Sequence, residues 1–249
     1  MVEVALVVPY FNHEHAIART IGALASQGLK CWLIDDGSSA EAVAAARRLA
    51  AQEARWLTII SHAVNRGKGE AVLTGFRAAF AAGATHALQI DADGQHDFRD
   101  IGRMVRLANA HPDAIVVGVP IFDPTIPKSR LLGRKITNFW VAVNTWSPGV
   151  QDSMCGFRVY PLASLLQLAA REHLGRRMDF DPEILVRAIW RGIPIVSCET
   201  RVTYPADGVS HFHLLRDNLR ISWMHTRLFF GMLSRLPLLV ARHWSRSRP

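Results

Sequence analysis

The sequence predicts an α/β fold in which a mostly parallel, Rossmann-type sheet is flanked by helices. Over residues 1–120, short apolar runs with the period of a strand alternate with amphipathic stretches with the period of a helix. Helical stretches of roughly 10 to 15 residues between strands are typical of crossover connections between parallel neighbours. With 249 residues, of which 49% are hydrophobic, the chain is long enough to bury a substantial core.

Five apolar runs in the first half predict five buried strands. These runs are 4–8, 31–35, 57–61, 86–90 and 114–119. A helix is predicted after the first run, because Ile17, Ile21 and Leu24 share one helical face and Gly28 supplies a stop signal.

Capping residues and glycines mark the next helices. Ser38 and Glu41 form a capping box that opens an alanine-rich helix. Phe76 and Phe80 share one face of the following helix, and Gly83 stops it.

The second half of the chain is less regular. Its predicted elements are helices at about 98–110, 130–146 and 181–192, a strand at 155–161 and an extended segment at 193–204. The composition changes near residue 213. We therefore expect an α/β domain at 1–212 and a basic amphipathic tail at 213–249.

Positive charge is concentrated in the predicted tail. Seven arginines and one aspartate give the tail +6 of the net charge of +8. The near-neutral body argues against nucleic-acid binding, whereas the tail indicates an anionic partner such as lipid headgroups. Leu215, Leu219, Trp223 and Leu228 recur at near-helical spacing between arginines, which favours an interfacial helix on an anionic membrane. A helix that packs on the body is the alternative.

The cysteines and the N-terminus indicate a compartment. Cys31, Cys155 and Cys198 are odd in number and widely spaced, which favours a reducing cytoplasm over a disulfide framework. Glu3 and Pro9 interrupt the first apolar run, as expected of a strand rather than a signal peptide. No apolar run reaches about 18 residues, so we expect a cytoplasmic protein attached peripherally to the inner face of the membrane.

Polar residues follow four of the predicted strands. They are Asn12, Asp35 and Asp36, the segment 65–69, and Asp91 with Asp93. Ligands of such sheets bind beyond the carboxyl ends of the strands. Asp91 and Asp93 lie on one side of an extended chain, which suits Mg²⁺ or Mn²⁺, since these ions also take phosphate oxygens as ligands.

Other interpretations of these motifs compete with a metal site. A calcium loop is excluded, because Gln95 and His96 stand where its last ligand and glycine belong. The motif of phosphatases of the haloacid dehalogenase type matches "QIDADGQ" in part, although that motif lies on the first strand of its domain and this one follows the fourth. A purely structural turn is a further alternative. Arg66 and Lys68 in "NRGKG" suit a phosphate, but the spacing is not that of a Walker loop.

Five motifs in a fixed order resemble the signatures of family 2 glycosyltransferases. They are "VVPYFN", "LIDDGSS", "NRGKGEAVLTGFRAA", "DADGQH" and "CGFRVYP", and they span roughly residues 1–210. The chain is similar in particular to the dolichol-phosphate mannose synthase-like branch. That resemblance implies a GT-A-like fold, a UDP- or GDP-sugar donor and a Mg²⁺ or Mn²⁺ cofactor.

The resemblance also implies roles for individual residues. The implied donor-binding residues are Pro9, Tyr10 and Asn12 around the base and ribose, Asp36 on the nucleoside, Lys68 near the base or diphosphate, Asp91, and Arg158 with the Asp152 loop at the sugar. The implied metal ligands are Asp91, Asp93 and Gln95, and the implied catalytic pair facing the acceptor is Asp181 and Glu183. Acids at a helix N-terminus are also favoured by its dipole, so a purely structural role for that pair stays open.

The predicted function is metal-dependent, inverting transfer of a sugar from a nucleotide-diphosphate sugar to a lipid-linked or hydrophobic acceptor at the membrane surface. His211 stands in "YPADGVSHFH", where that branch usually carries a basic residue on the diphosphate. We expect His211 to serve the donor and, because of this departure, favour an acceptor hydroxyl over polyprenyl phosphate. A D-x-D phosphohydrolase and a non-catalytic, membrane-attached nucleotide-binding module are the alternatives.

Overall fold

Seven strands form one sheet in the computed structural model, which describes residues 1–122, 126–147, 149–203 and 213–246, with side chains up to 241. The strands are β1 (Val4–Tyr10), β2 (Cys31–Asp35), β3 (Leu57–Ser61), β4 (His86–Gln89), β5 (Ile115–Phe122), β6 (Arg158–Pro161) and β7 (Ile195–Val202). Their order is β3-β2-β1-β4-β6-β5-β7.

Helices connect these strands and close the chain. They are α1 (Glu14–Ala25), α2 (Ala40–Gln52), α3 (Lys68–Ala81), α4 (Ile101–Ala110, after a 3₁₀ turn at Phe98–Asp100), α5 (Lys128–Thr145), α6 (Leu162–Arg171), α7 (Phe180–Trp190), α8 (Leu214–Leu233) and α9 (Leu236–Arg246). The sequence patterns missed α6, which begins directly at the end of β6 with no polar N-cap.

The predicted mostly parallel sheet is confirmed. Only β6 runs antiparallel to its neighbours β4 and β5 within the described sheet. This reversal has a local consequence, because it pairs Gln89 at the end of β4 with Arg158 at the start of β6. The chain order also reverses between β1 and β4, which is where ligands of such sheets bind.

Both faces of the sheet are covered, as predicted. Side chains alternate along β1, so Val7 packs under α3 and Leu6 packs under the α1 side, both fully buried. Gly75 allows α3 to approach closely, because a Cβ there would lie 2.3 Å from Cγ1 of Val7. Phe76 is buried in this layer, whereas Phe80, predicted on the same face, is 48% exposed in the last turn of α3.

The N-cap of α2 is one residue later than predicted. Ser39 Oγ accepts a hydrogen bond from the backbone N–H of Ala42. Ser38 instead accepts from the backbone N–H of Asn12, so it ties two strand-end loops together. The helix therefore begins with a serine N-cap, but the predicted capping box of Ser38 and Glu41 is wrong, because the residue three after Ser39 is Ala42.

The predicted tail is partly integrated into the domain. Met224 and Leu228 of α8 are buried in the same core as α3 and α7, and Arg227 reaches Glu183 of α7. Leu228 was predicted on the membrane-facing side, which is wrong, since it is 1% exposed. Among the described helices, none is long and apolar enough to cross a bilayer.

Candidate active site

A buried aspartate at the end of β2 organises the loop before α3. Oδ1 of Asp36 accepts from the backbone N–H of Arg66 at 2.9 Å, and Oδ2 accepts from that of Gly67 at 2.7 Å. His62 Nδ1 lies 2.8 Å from Oδ1 of the same carboxylate. Gly67 has φ +103°, and a Cβ there would lie 2.3 Å from the carbonyl oxygen of Arg176. The glycine is therefore required, and the loop delivers Lys68 as the first residue of α3.

Lys68 connects two acidic segments. Its Nζ lies 2.8 Å from Oδ1 of Asp91 and 2.7 Å from Oδ2 of Asp181. Burial alone would lower the pKa of this amine, but the carboxylates of Asp181 and Asp91 outweigh burial and raise it. The ammonium is therefore retained at neutral pH, next to the D-x-D segment.

The D-x-D carboxylates, Asp91 and Asp93, follow β4 at the carboxyl edge of the sheet. Burial opposes ionisation of Asp91, but Lys68 and His96 outweigh burial and lower its pKa. Burial and the nearby charge of Asp91 raise the pKa of Asp93. A cation shared by the two carboxylates would relieve this repulsion, because it replaces a like charge with an opposite one.

The donor set fits a hard divalent cation that completes its shell with substrate oxygens. Asp91 and Asp93 provide carboxylate oxygens, and Gln95 is held beside them because its backbone N–H donates to Oδ1 of Asp93 at 3.1 Å. Within the described residues, no group of three His, Cys, Asp or Glu side chains could hold an ion. Mg²⁺ and Mn²⁺ are commonly bound by one or two carboxylates together with phosphate and water oxygens.

Gly156 was not predicted as a site residue, yet the backbone there packs against the D-x-D segment. A Cβ at this position would lie 2.5 Å from Oδ2 of Asp91 and 2.8 Å from Nζ of Lys68. The loop that carries Gly156 is held by Asp152, whose Oδ1 accepts from the backbone N–H groups of Met154 and Cys155. The glycine of "CGFR" was the available signal, since an isolated glycine beside a strand often marks a close approach.

His96 is a second residue at this edge for which the sequence patterns predicted no role. It is buried, its ring stacks on Phe157 with centroids 5.1 Å apart, and burial lowers its pKa. Gln89 is a third, because its Nε2 donates to Oδ1 of Asp181 at 3.1 Å. A polar residue inside an apolar strand was the signal for Gln89.

The segment predicted to line the base pocket is mostly engaged in packing. Tyr10 is 1% exposed and donates its hydroxyl to the carbonyl oxygen of Ala42 at 2.9 Å, so a side-chain contact with the base is not available in this arrangement. Pro9 is buried in β1. Asn12, at φ +50°, accepts from the backbone N–H of Ser39 at 2.8 Å. These contacts tie the end of β1 to the start of α2.

Arg158, which was predicted to border the sugar, lies in the interior of the fold. It is fully buried, and it donates to the carbonyl oxygens of Ser153 at 2.6 Å and Asp181 at 2.7 Å. It therefore fastens the loop of Gly156 to the start of α7. The predicted diphosphate contact of His211 lies outside the described residues.

The two predicted bases differ in surroundings. Asp181 is 5% exposed, and its two oxygens accept from Gln89 and Lys68. Glu183 has no exposed surface, and its oxygens accept from Gly175, Arg187 and Arg227. Glu183, which was predicted to face the acceptor, is thus enclosed by arginines of two helices, α7 and α8.

Comparison with known proteins agrees with the motif-based resemblance. A family model described as Glycosyl transferase family 2 matches residues 5–165. A Methanococcus voltae relative named UDP-N-acetylglucosamine–dolichyl-phosphate N-acetylglucosaminyltransferase is 27% identical over 198 residues, which are 74% of this chain and 78% of that one. A polyprenol monophosphomannose synthase of Mycolicibacterium smegmatis is 23% identical over 210 residues, covering 82% of this chain and 79% of the relative.

A solved structure confirms the predicted GT-A-like fold. Glucosyl-3-phosphoglycerate synthase from Mycobacterium tuberculosis, in complex with Mn²⁺, UDP-glucose and phosphoglyceric acid, superposes with a TM-score of 0.66. The match covers 93% of this chain and 79% of that chain at 14% identity. At this identity the likeness shows a shared fold.

Proposed function

The chain belongs to glycosyl transferase family 2, and from that premise we propose that it transfers a sugar from a nucleotide-diphosphate donor to a lipid-linked phosphate. The observation that carries this proposal is the D-x-D pair beside Lys68 at the ligand-binding edge of the sheet. Membership of an enzyme family decides against the non-catalytic and phosphohydrolase alternatives. The position of "DADG" after the fourth strand also differs from that of the phosphohydrolases.

The donor diphosphate is assigned to the D-x-D edge, which is the carboxyl edge of the sheet at Asp91 and Asp93. Asp91, Asp93 and Gln95 would hold Mg²⁺ or Mn²⁺, which when bound offsets negative charge on the leaving diphosphate. Lys68 supplies a fixed positive charge at the same edge, and Asp181 holds that ammonium in position. The complex of the mycobacterial structural neighbour with Mn²⁺ and UDP-glucose supports this assignment.

The acceptor is assigned as a phosphate rather than the hydroxyl expected from the sequence. A hydroxyl acceptor requires a general base, whereas a phosphate oxygen is already an anion. Of the two predicted bases, Glu183 is enclosed and Asp181 is engaged through both oxygens. The names of the two relatives, a dolichyl-phosphate N-acetylglucosaminyltransferase and a polyprenol monophosphomannose synthase, point to the same acceptor class.

The proposed reaction is a single displacement. An acceptor phosphate oxygen forms a bond to the anomeric carbon of the sugar while the bond from that carbon to the diphosphate oxygen breaks. One such in-line displacement inverts the configuration of the carbon. The nucleoside diphosphate leaves as an anion, so the D-x-D edge acts where negative charge develops.

Donor binding is tested by thermal denaturation with UDP and GDP, each with and without Mn²⁺. A ligand that binds the folded state raises the melting temperature by mass action. We expect one nucleotide to do so only with Mn²⁺, and Asp93→Asn to remove the shift without lowering the melting temperature of the free protein. Asp113→Asn, an exposed aspartate before β5, is the matched control. A manganese-dependent shift in Asp93→Asn equal to that of the wild type would contradict the metal assignment.

The proposed site of action is the surface of an anionic membrane, reached through α8. Leu215, Leu219 and Trp223 are 77%, 62% and 63% exposed on the side of α8 that faces away from the core. Deletion of the tail would also uncover the core around Met224, so substitution is the better test. The triple variant Leu215→Ser/Leu219→Ser/Trp223→Ser should keep its fold and its donor-induced thermal shift while its sedimentation with anionic vesicles falls. Unchanged sedimentation would place the membrane contact elsewhere.

A further inference from the structure

A second exposed apolar stripe runs along α5. Leu132, Ile136 and Phe139 are 60%, 52% and 62% exposed, and Trp140 is 37% exposed. Their spacing places them on one face of the helix, while Thr137 and Val141 on the other face are buried. Side chains of this size at adjoining exposed positions indicate an interaction surface rather than scattered surface residues.

The stripe on α5 is continuous with the exposed face of α8. The two helices pack side by side. The Phe139 ring lies 5.7 Å from that of Trp140, which lies 6.4 Å from Phe229 of α8. Phe229 in turn lies 5.9 Å from Phe230, which is 65% exposed. An unbroken aromatic row therefore crosses from one exposed face to the other.

We infer that α5 and α8 together form one membrane-docking plate for an anionic phospholipid bilayer. The plate consists of Leu132, Ile136, Phe139 and Trp140 of α5 and Leu215, Leu219, Trp223 and Phe230 of α8. The inference deepens the proposed function, because it rests on a lipid-linked acceptor, and it assigns to α5 a role that the sequence patterns reserved for the tail.

The charges around the plate select an anionic bilayer as its occupant. The sequence of α5 contains no acidic residue, and its Lys128 and Lys135 are exposed. The only acid of α8, Asp217, is 3% exposed, whereas Arg216 is exposed beside the apolar face. A second copy of the chain would bring the same positive charges against these, which costs energy. Aromatic and aliphatic side chains with basic flanks are typical of interfacial helices.

The plate is connected to the D-x-D edge through one short path. Arg134 of α5 holds Asp152 with a distance of 2.7 Å between Nη1 and Oδ2. Asp152 fixes the backbone of Cys155, and the next residue, Gly156, packs against Asp91. A helix is about 10–12 Å across. Docking through α5 therefore keeps the bilayer surface close to the edge where the donor is proposed to bind.

Site-specific fluorescence tests the plate. The native cysteines are buried, so an environment-sensitive maleimide dye will label an introduced cysteine selectively. The variants are Phe139→Cys on α5, Trp223→Cys on α8 and, as a matched exposed control, Phe80→Cys on α3, which is 48% exposed. With vesicles of phosphatidylglycerol and phosphatidylcholine, we expect blue-shifted, stronger emission from positions 139 and 223 and no change from position 80.

The outcomes separate the inference from the proposed function. A shift at position 223 without one at position 139 would overturn the role of α5 and leave attachment through α8 standing. Shifts at neither position would overturn the plate, while the manganese-dependent nucleotide shift, measured on the same samples, reports separately on donor binding. Equal emission shifts at all three positions, including position 80, would indicate nonspecific adsorption and would also overturn the plate.

A charge variant provides an independent measurement. Each basic residue near an anionic surface contributes about fivefold to partitioning, so Lys128→Gln/Lys135→Gln should weaken vesicle binding about 30-fold at low salt. Lys30→Gln, an exposed lysine before β2, is the control and should leave binding unchanged. Equal binding of the double variant and the control variant would contradict the electrostatic part of the inference.

Discussion

Replacement of Gly156 by alanine should displace the D-x-D carboxylate without unfolding the protein. The added Cβ would lie 2.5 Å from Oδ2 of Asp91, whereas ordinary contacts begin at 3.4 Å, so carboxylate and backbone must separate by about 0.9 Å. A displacement of about 1 Å in an active site reduces the rate by roughly 100-fold. The atoms that must move are the ends of the Asp91 and Lys68 side chains, so the cost in stability is expected to be small.

The assay for Gly156→Ala is donor-dependent release of nucleoside diphosphate, with thermal denaturation alongside. Gly22→Ala is the matched control, because a Cβ at Gly22, inside α1, meets no atom within 4 Å. The control should keep full activity and gain up to about 1 kcal/mol of stability. If Gly156→Ala were folded and retained activity within about threefold of the wild type, the proposed dependence on the position of Asp91 would be refuted.

Two further predictions concern buried groups. Glu183→Gln should destabilise the protein by roughly 3 kcal/mol in chemical denaturation, because it removes the buried partner of Arg187 and Arg227, while the exposed Glu41→Gln should not. A denaturation midpoint of Glu183→Gln equal to that of the wild type would contradict the structural role of Glu183. Burial lowers the pKa of His225 to about 4 from its ordinary value near 6.5, so the folded state binds fewer protons than the unfolded state in that window. The free energy of unfolding should therefore fall by up to about 3 kcal/mol from pH 6.5 to 4. His225→Gln should make this fall with pH smaller. An equal fall in the variant and the wild type would contradict the assignment of the effect to His225.

The sequence was sufficient to predict the sheet and the D-x-D edge. Alternating periods identify the strands, and parallel connections bring the carboxyl ends of β1, β2, β3 and β4 to one side. Asp91 and Asp93 therefore had to lie near the loop that holds Lys68. These are local patterns combined with a topological rule, and both are visible in one sequence.

The partners of individual side chains could not be predicted in the same way. Glu183 and Asp181 share a helix turn and have the same charge, yet Arg227, 44 residues further along the chain, encloses only Glu183. Similarly, the hydroxyl of Tyr10 donates to the carbonyl oxygen of Ala42, which is 32 residues away in the chain. Such contacts depend on how α2 and α8 pack, and periodicity does not encode them.

The tail shows the same limit on a larger scale. Near-helical spacing grouped Leu228 with Leu215, Leu219 and Trp223, but 13 residues after Leu215 the helix has turned Leu228 into the core. The exposed stripe on α5 was missed, because it lies in a helix whose other face supports the core. An apolar residue in an amphipathic sequence can face either a core or a lipid surface, and only packing distinguishes the two.

The most direct test of the proposed function is sugar transfer to an acceptor embedded in anionic vesicles. Polyprenyl phosphate and the uncharged polyprenol would be compared with wild-type protein and Asp93→Asn, using the nucleotide sugar selected by the thermal-shift panel. We predict manganese-dependent transfer to polyprenyl phosphate by the wild type alone, with polyprenol inactive. Transfer to polyprenol at a comparable rate would contradict the phosphate acceptor, and full activity of Asp93→Asn, or of the wild type in excess EDTA, would contradict the D-x-D metal site itself.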